Sequence, residues 1–300
     1  MTKAPKMIKP SYPAGLSSSD SATGQLQRAV LDLLREHQAQ GDDGLPTSSR
    51  FLFYELVQRK VISKKPHKGE GKVKTREARP DIPLQEALTY LRKHEIIPWD
   101  WITDETRSLS DFTGWPSISK WATTMVEHAE LDPWQGGAPL VLTESRSLAG
   151  VLDRLARQYR IKLSATNGQV GGFLHTDVGP KLSAGARVLY AGDWDWQGHQ
   201  IENNTRTVLE QIVGGDLDWN RIALTEDQVD EYDLRPLMIQ KPDRRYKPVR
   251  VHDAIETEAL RQDVIVGIVR AALDAELPEP MATVLERERR QRAAVRRKLK

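Results

Sequence analysis

At 300 residues, with 39% hydrophobic and 29% charged side chains, the chain has a globular composition and the length of about two ordinary domains. It contains no cysteine, which excludes disulfides, thiolate nucleophiles and cysteine zinc sites and leaves any metal to oxygen or imidazole ligands. A formal charge of +2 is too small to imply an anionic partner by itself, and no apolar run approaches the roughly 20 residues that cross a bilayer.

Residues 1–22, rich in Pro, Ser and Lys, read as a disordered lead that lacks the apolar core of a signal peptide. A cytoplasmic protein with no membrane association is therefore expected. Helical periodicity begins in GQLQRAVLDLLREHQAQ, with Leu26, Val30, Leu33 and Leu34 on one stripe. In LPTSSRFLFYELVQRKVI, Thr47 or Ser48 can cap a helix that buries Leu52, Phe53, Leu56 and Val57. A basic, glycine-containing loop runs from Ser63 to about Arg79, and its Lys64, Lys65 and Lys68 are candidates for nucleic-acid contact. A further helix follows in PLQEALTYLRKHEII. Small helices broken by a basic loop resemble a winged-helix DNA-binding unit, expected over residues 23–137. Its last part holds Trp99, Trp101, Trp115, Trp121 and Trp134 around a helix from about Ser117 to Glu130. Core or interdomain packing and stacking on bases would each use such rings.

From Pro139 the pattern changes to short apolar runs alternating with helices: PLVLT, SRSLAGVLDRLARQY, IKLSA, a Gly-rich loop, ARVLYA, HQIENNTRTVLEQIV and RIAL. Near-continuous apolar strands with helical crossovers indicate an α/β domain, a parallel sheet with helices on both faces, here over residues 138–275. Ligands bind such sheets beyond the carboxyl ends of the strands. Asp193 and Asp195 of YAGDWDWQGHQI fall just past one such end, and Glu144 directly follows PLVLT at another. If those strands are neighbours, three carboxylates face one crevice. Close carboxylates raise one another's pKa unless a cation compensates them, and an oxygen-only set suits Mg²⁺ or Mn²⁺. The alternative is that Asp193 or Asp195 caps the helix at His199. Trp194 and Trp196 either wall a groove or pack. Further on, Lys241, Arg244 and Arg245 are candidates for nucleic-acid contact, Asp253, Glu256 and Glu258 for additional acid, and residues 276–300 form a basic helix. No His-Glu-x-x-His and no P-loop is present.

The order strand, Glu144, helix, strand, Gly-rich loop, strand, Asp193-x-Asp195-x-x-Gly198, helix resembles the Toprim domain of topoisomerases, primases and certain nucleases. The resemblance spans about residues 138–225. Glu144 is followed by Ser145 and Arg146, where many Toprim proteins have Gly or Lys. In that family the acidic residues bind Mg²⁺ and the glutamate acts as general acid or base, which places those roles on Glu144, Asp193 and Asp195. Within it, the topoisomerase VI A subunits and their meiotic double-strand-break relatives carry a winged-helix domain with an Arg-x-x-(Tyr/Phe)-Tyr motif. RFLFY is similar, with Arg50, Phe53 and Tyr54 at the matching spacing. The resemblance, closest to an uncharacterised bacterial or phage branch, implies Tyr54 as nucleophile with help from Arg50 and Mg²⁺- or Mn²⁺-dependent DNA cleavage. It also implies a homodimer, a nucleoid-associated location and a separate ATPase subunit for strand passage. A Toprim nuclease, with Tyr54 structural, is the weaker form of the same expectation. A non-catalytic, dimeric nucleic-acid-binding scaffold is the rival.

Overall fold

A computed structural model describes residues 11–63, 80–103, 111, 113–167, 172–234 and 255–299. The chain divides into two compact units, 1–103 and 104–300. Lys64, Lys65, Lys68, Lys241, Arg244 and Arg245, and with them the basic loops expected to touch DNA, lie outside the described residues.

The first unit is built on α1 (Ala22–Ala39), α2 (Ser49–Gln58) and α3 (Ile82–Lys93). Ser21 opens α1 by accepting the Gly24 N–H, and the stripe of Val30, Leu31, Leu33 and Leu34 is buried. Ser48 rather than Thr47 caps α2, accepting from Phe51 N–H, because Thr47 is drawn into a parallel bridge with Ile102. Phe51, Leu52, Phe53, Tyr54 and Leu56 of α2 meet Leu84, Leu88 and Leu91 of α3 in this core, while Val57 stays partly exposed. A buried His37 joins the helices, with Nδ1 3.0 Å from Gly44 O and Nε2 2.8 Å from the Glu55 carboxylate.

Two expectations are corrected here. Residues 11–21, read as part of a disordered lead, lie along the first unit: the Tyr12 hydroxyl donates to Asp32 at 2.5 Å, and its ring sits under the Arg28 and Arg35 guanidinium groups. Arg28 also donates to Ser17 O, and the Tyr90 hydroxyl to Gly15 O. A few polar anchors thus order a segment whose composition is that of a linker. The unit boundary falls after residue 103, ahead of the division expected after 137. The helix α4 (Ile118–His128) packs instead on the basic C-terminal helix α9 (Met281–Lys298), where Arg296 pairs with Glu127 and Arg292 donates to Ala129 O. Both helices therefore belong to the second unit. Trp115 and Trp121 are exposed, and only Trp134 of this group is buried, its indole N–H on Tyr159 O.

The second unit contains a four-stranded parallel sheet: β1 (Leu140–Thr143), β2 (Lys162–Ala165), β3 (Arg187–Ala191) and β4 (Asp218–Ala223), in the order β2-β1-β3-β4. β1 is buried along its whole length, which explains the unbroken LVLT run. Alternation sends Leu140, Leu142, Val188 and Tyr190 to one face, where they pack with Leu174 and Val178 of the segment before β3 and with Leu209 of α6 (Trp196–Val213). The opposite face carries α5 (Arg146–Tyr159) and α8 (Gln262–Glu276), the short α7 (Glu226–Glu231) following β4 in the chain; α5 and α8 pack on each other and, between them, on β1, β2 and β4. Each fully buried Leu or Val contributes ~1.5–3 kcal/mol. Among the described residues no helix is long and apolar enough to cross a membrane.

The topology determines where a ligand would sit. From β1 the chain crosses through α5 to β2 on one side, then returns to β3 on the other side and continues outward to β4. The direction reverses between β1 and β3, so a crevice opens beyond their carboxyl ends.

Candidate functional site

Glu144 and Asp193 stand on either side of that crevice. Thr143 of β1 is in register with Ala191 of β3, and the Glu144 N–H extends the ladder by donating to Ala191 O at 2.9 Å. Two residues beyond Ala191, the Asp193 N–H donates to Glu144 Oε2 at 3.2 Å. The neighbouring-strand condition is thereby met. Burial, then the Asp193 charge, raise the Glu144 carboxyl from 4.5 to about 7; the Asp195 charge adds to this, while the Asp193 N–H and Arg221 oppose it. Glu144 thus holds its proton well above the usual carboxylate range.

Asp195 has the duty that a lone Asp-x-Asp suggests: it is the N-cap of α6, its Oδ1 accepting the Gly198 N–H at 2.6 Å. Gly198 is glycine for a steric reason. A Cβ there would stand 2.4 Å from Asp193 O, so the loop bearing both aspartates can lie against the helix only over a bare Cα. Gly192 is similarly constrained, because a Cβ would stand 2.7 Å from the Tyr190 ring.

Asp193 is held from far along the chain. Its Oδ1 accepts from the Thr257 N–H at 2.8 Å and from the Thr257 hydroxyl at 2.7 Å. Thr257 opens a 3-10 turn, Thr257–Ala259, preceded by Ile255, which exchanges backbone hydrogen bonds with Trp194. The next residue, Glu258, is buried and accepts the Ser145 hydroxyl at 2.8 Å, while Ser145 Oγ caps α5 by accepting the Leu148 N–H. The short segment after Ala254 therefore closes over the acidic loop, and Glu258, flagged in sequence as further acid, joins the site through Ser145.

Arg221, in the carboxyl half of β4, clamps the loop. Its guanidinium donates to Leu224 O, Gly192 O and Asp193 O at 2.6, 3.0 and 2.6 Å, and pairs with the Glu202 carboxylate, which also receives the Trp219 indole N–H. Sequence reading left Arg221 and Thr257 without roles. An arginine opening an apolar strand run was the available signal for the first, whereas Thr257 carried none. Trp194 packs, with Arg221 5.6 Å from its ring centroid and His199 edge-on at 4.7 Å; Trp196 is 54% exposed. His199 lies in the first turn of α6, and burial followed by Arg221 lowers its pKa, which favours its neutral form.

Tyr190 lies beneath the acids, 0% exposed, its hydroxyl buried without a hydrogen-bond partner among the described residues. Burial, and next the Glu144 charge, push its ionisation far above the ordinary value, so it is no phenolate nucleophile. In the first unit, Tyr54 is 6% exposed on the buried face of α2, edge-on to Phe53, with the Arg50 guanidinium 5.4 Å from its ring centroid. The matching spacing places Arg50 and Tyr54 together on one helix face, with the phenol ring inside the core.

Among the described residues no group of three or more His, Asp or Glu forms a ready metal-ligand set. The donors at the crevice are carboxylates, and their mutual repulsion, which adds to burial in raising Glu144, is what a hard divalent cation relieves. Mg²⁺ takes only one or two protein carboxylates and completes its shell with water and phosphate oxygens, so Glu144 and Asp193 suit it without a closed cage. Compared with protein-family models, curated proteins and solved structures, the chain matches none.

Proposed function

We propose that the second unit is a Toprim-type centre for Mg²⁺- or Mn²⁺-dependent cleavage of DNA phosphodiester bonds, acting in a homodimer. The observation that carries this reading is the contact between Glu144 and Asp193 at the reversal of strand order, with Glu144 lifted to about 7. Glu144 and Asp193 would hold the ion, with Asp195 beside them at the cap of α6; when bound, the ion would neutralise the phosphate and polarise it toward attack. Glu144, which burial and the neighbouring aspartates hold above the usual carboxylate range in the metal-free protein, is suited to take up a proton at a carboxylate oxygen. The N-terminus of α6 follows the acidic loop directly, and the positive end of its dipole favours an anion there. Burial of Tyr54 in the α2 core supports water rather than the phenol as nucleophile, the Toprim-nuclease form.

One observation favours a rival. Asp195 caps α6 and Asp193 anchors Thr257, so both aspartates have structural duties that a non-catalytic, nucleic-acid-binding scaffold would also need.

The deciding experiment incubates the protein with supercoiled plasmid and Mg²⁺ or Mn²⁺, with and without EDTA, and stops reactions with and without protease. Metal-dependent nicking that is lost in Asp193→Ala and kept in Tyr54→Phe supports the hydrolytic centre. A covalent DNA adduct that disappears in Tyr54→Phe would move the reading to a transesterase. DNA binding indifferent to EDTA, with no cleavage, would assign the scaffold.

A further inference from the structure

We infer that Thr257 is the positioning residue for Asp193, so that the acidic crevice is completed by the segment 255–258 rather than by the sheet alone. This inference rests on the metal-centre reading above. Asp193 follows the last residues of β3 in a loop, where an aspartate side chain has two rotatable bonds. Thr257 supplies two donors, N–H and hydroxyl, to the same oxygen at 2.8 and 2.7 Å, and is itself 0% exposed, so water does not compete for either bond. Two bonds from one rigid residue fix the carboxylate's direction as well as its place, which is how an outer residue orients a ligating group.

The donor is itself anchored on both sides. On one flank Ile255 and Trp194 exchange N–H to O bonds of 2.8 and 3.2 Å; on the other, Glu258 accepts from Ser145 at 2.8 Å. Three consecutive contacts therefore tie this segment to the ends of β1 and β3, and Thr257 sits between the outer two. A threonine needed only to fill space would not aim both of its donors at the acid.

The test compares full-length wild type with Thr257→Val, Thr257→Ser and Asp193→Ala by amide hydrogen exchange without metal, and by calorimetric titration with Mn²⁺. Thr257→Val keeps the shape and the backbone N–H and removes the hydroxyl. It is expected to speed exchange in peptides covering 192–196 and 255–260 by about tenfold, and to weaken Mn²⁺ binding ~10–100-fold. Thr257→Ser, which restores the hydroxyl, is expected to stay within about threefold of wild type in both readouts. Should Thr257→Val fail to fold, Thr257→Ala removes the same hydroxyl without adding bulk and is judged identically. Unchanged exchange in the hydroxyl-less variant overturns the inference, as does looser exchange with undiminished Mn²⁺ affinity. A wild type that takes up no Mn²⁺ would instead sink the metal-centre reading, while the exchange data still decide whether Thr257 holds Asp193.

Discussion

Glu144 concentrates the electrostatics of the second unit in one titration. Its carboxyl ionises at 4.5 when unperturbed and at about 7 in the fold, so the folded state favours the protonated form. The stability contributed by neutral Glu144 is fully present below pH 4.5 and is lost as pH rises through 7. Between pH 5 and pH 8 the metal-free protein should therefore lose more melting temperature, or gain less, than Glu144→Gln, while the opposing titration of His199 is common to both; equal slopes in the two proteins would refute the assignment. Saturating Mg²⁺ should recover part of the loss at pH 8, because a cation at the crevice offsets the charge that ionisation creates. Gly198 offers a steric test at the same scale. With Asp193 O only 2.4 Å from the would-be Cβ, Gly198→Ala forces the acidic loop outward. A destabilisation of about 1–3 kcal/mol in denaturant melts is expected, together with loss of cleavage. Both residues were legible in sequence as parts of a Glu and Asp-x-Asp-x-x-Gly pattern, but the reason for the glycine was not: it lies in how closely the loop backbone passes over the first turn of the following helix.

At the scale of elements, α6 links stability to the site through its cap. Asp195→Ala removes the acceptor for the Gly198 N–H and should cost about 1 kcal/mol of stability, whereas Asp195→Asn keeps a capping oxygen and should cost only a few tenths. If Asp195→Asn retains wild-type stability yet loses metal-dependent cleavage, the carboxylate charge has a role beyond the cap; full activity in that variant would reduce Asp195 to a cap alone. The strands were readable because a parallel sheet covered on both faces needs near-continuous apolar runs, and PLVLT, IKLSA and ARVLYA coincide with β1, β2 and β3. RIAL underestimated β4, which begins at Asp218, because the edge half of that strand carries polar residues that a pattern search leaves in the loop. The helix α4 was also legible, but not its neighbour: an amphipathic pattern specifies that a face will be covered, not by what.

The molecule as a whole contains two cores, one around α1, α2 and α3 and one around the sheet, and each should answer to its own mutation. Leu33→Ala and Leu273→Ala each empty a fully buried site and should cost ~2–5 kcal/mol. By calorimetry the first is expected to shift one melting transition and the second another; a single transition moved equally by both would mean that the units unfold together. The sequence by itself determined the class of the second unit, the strand ends where acids would gather and the absence of thiol chemistry, because hydrophobic period and residue chemistry are local properties. Only the tertiary structure decided that β1 and β3 are neighbours, that Tyr54 is buried, that Arg221 clamps the acidic loop and that Thr257 reaches back 64 positions to Asp193. Strand order, burial and long-range hydrogen bonds are settled by which surfaces the folded chain brings together, and no local spacing encodes them.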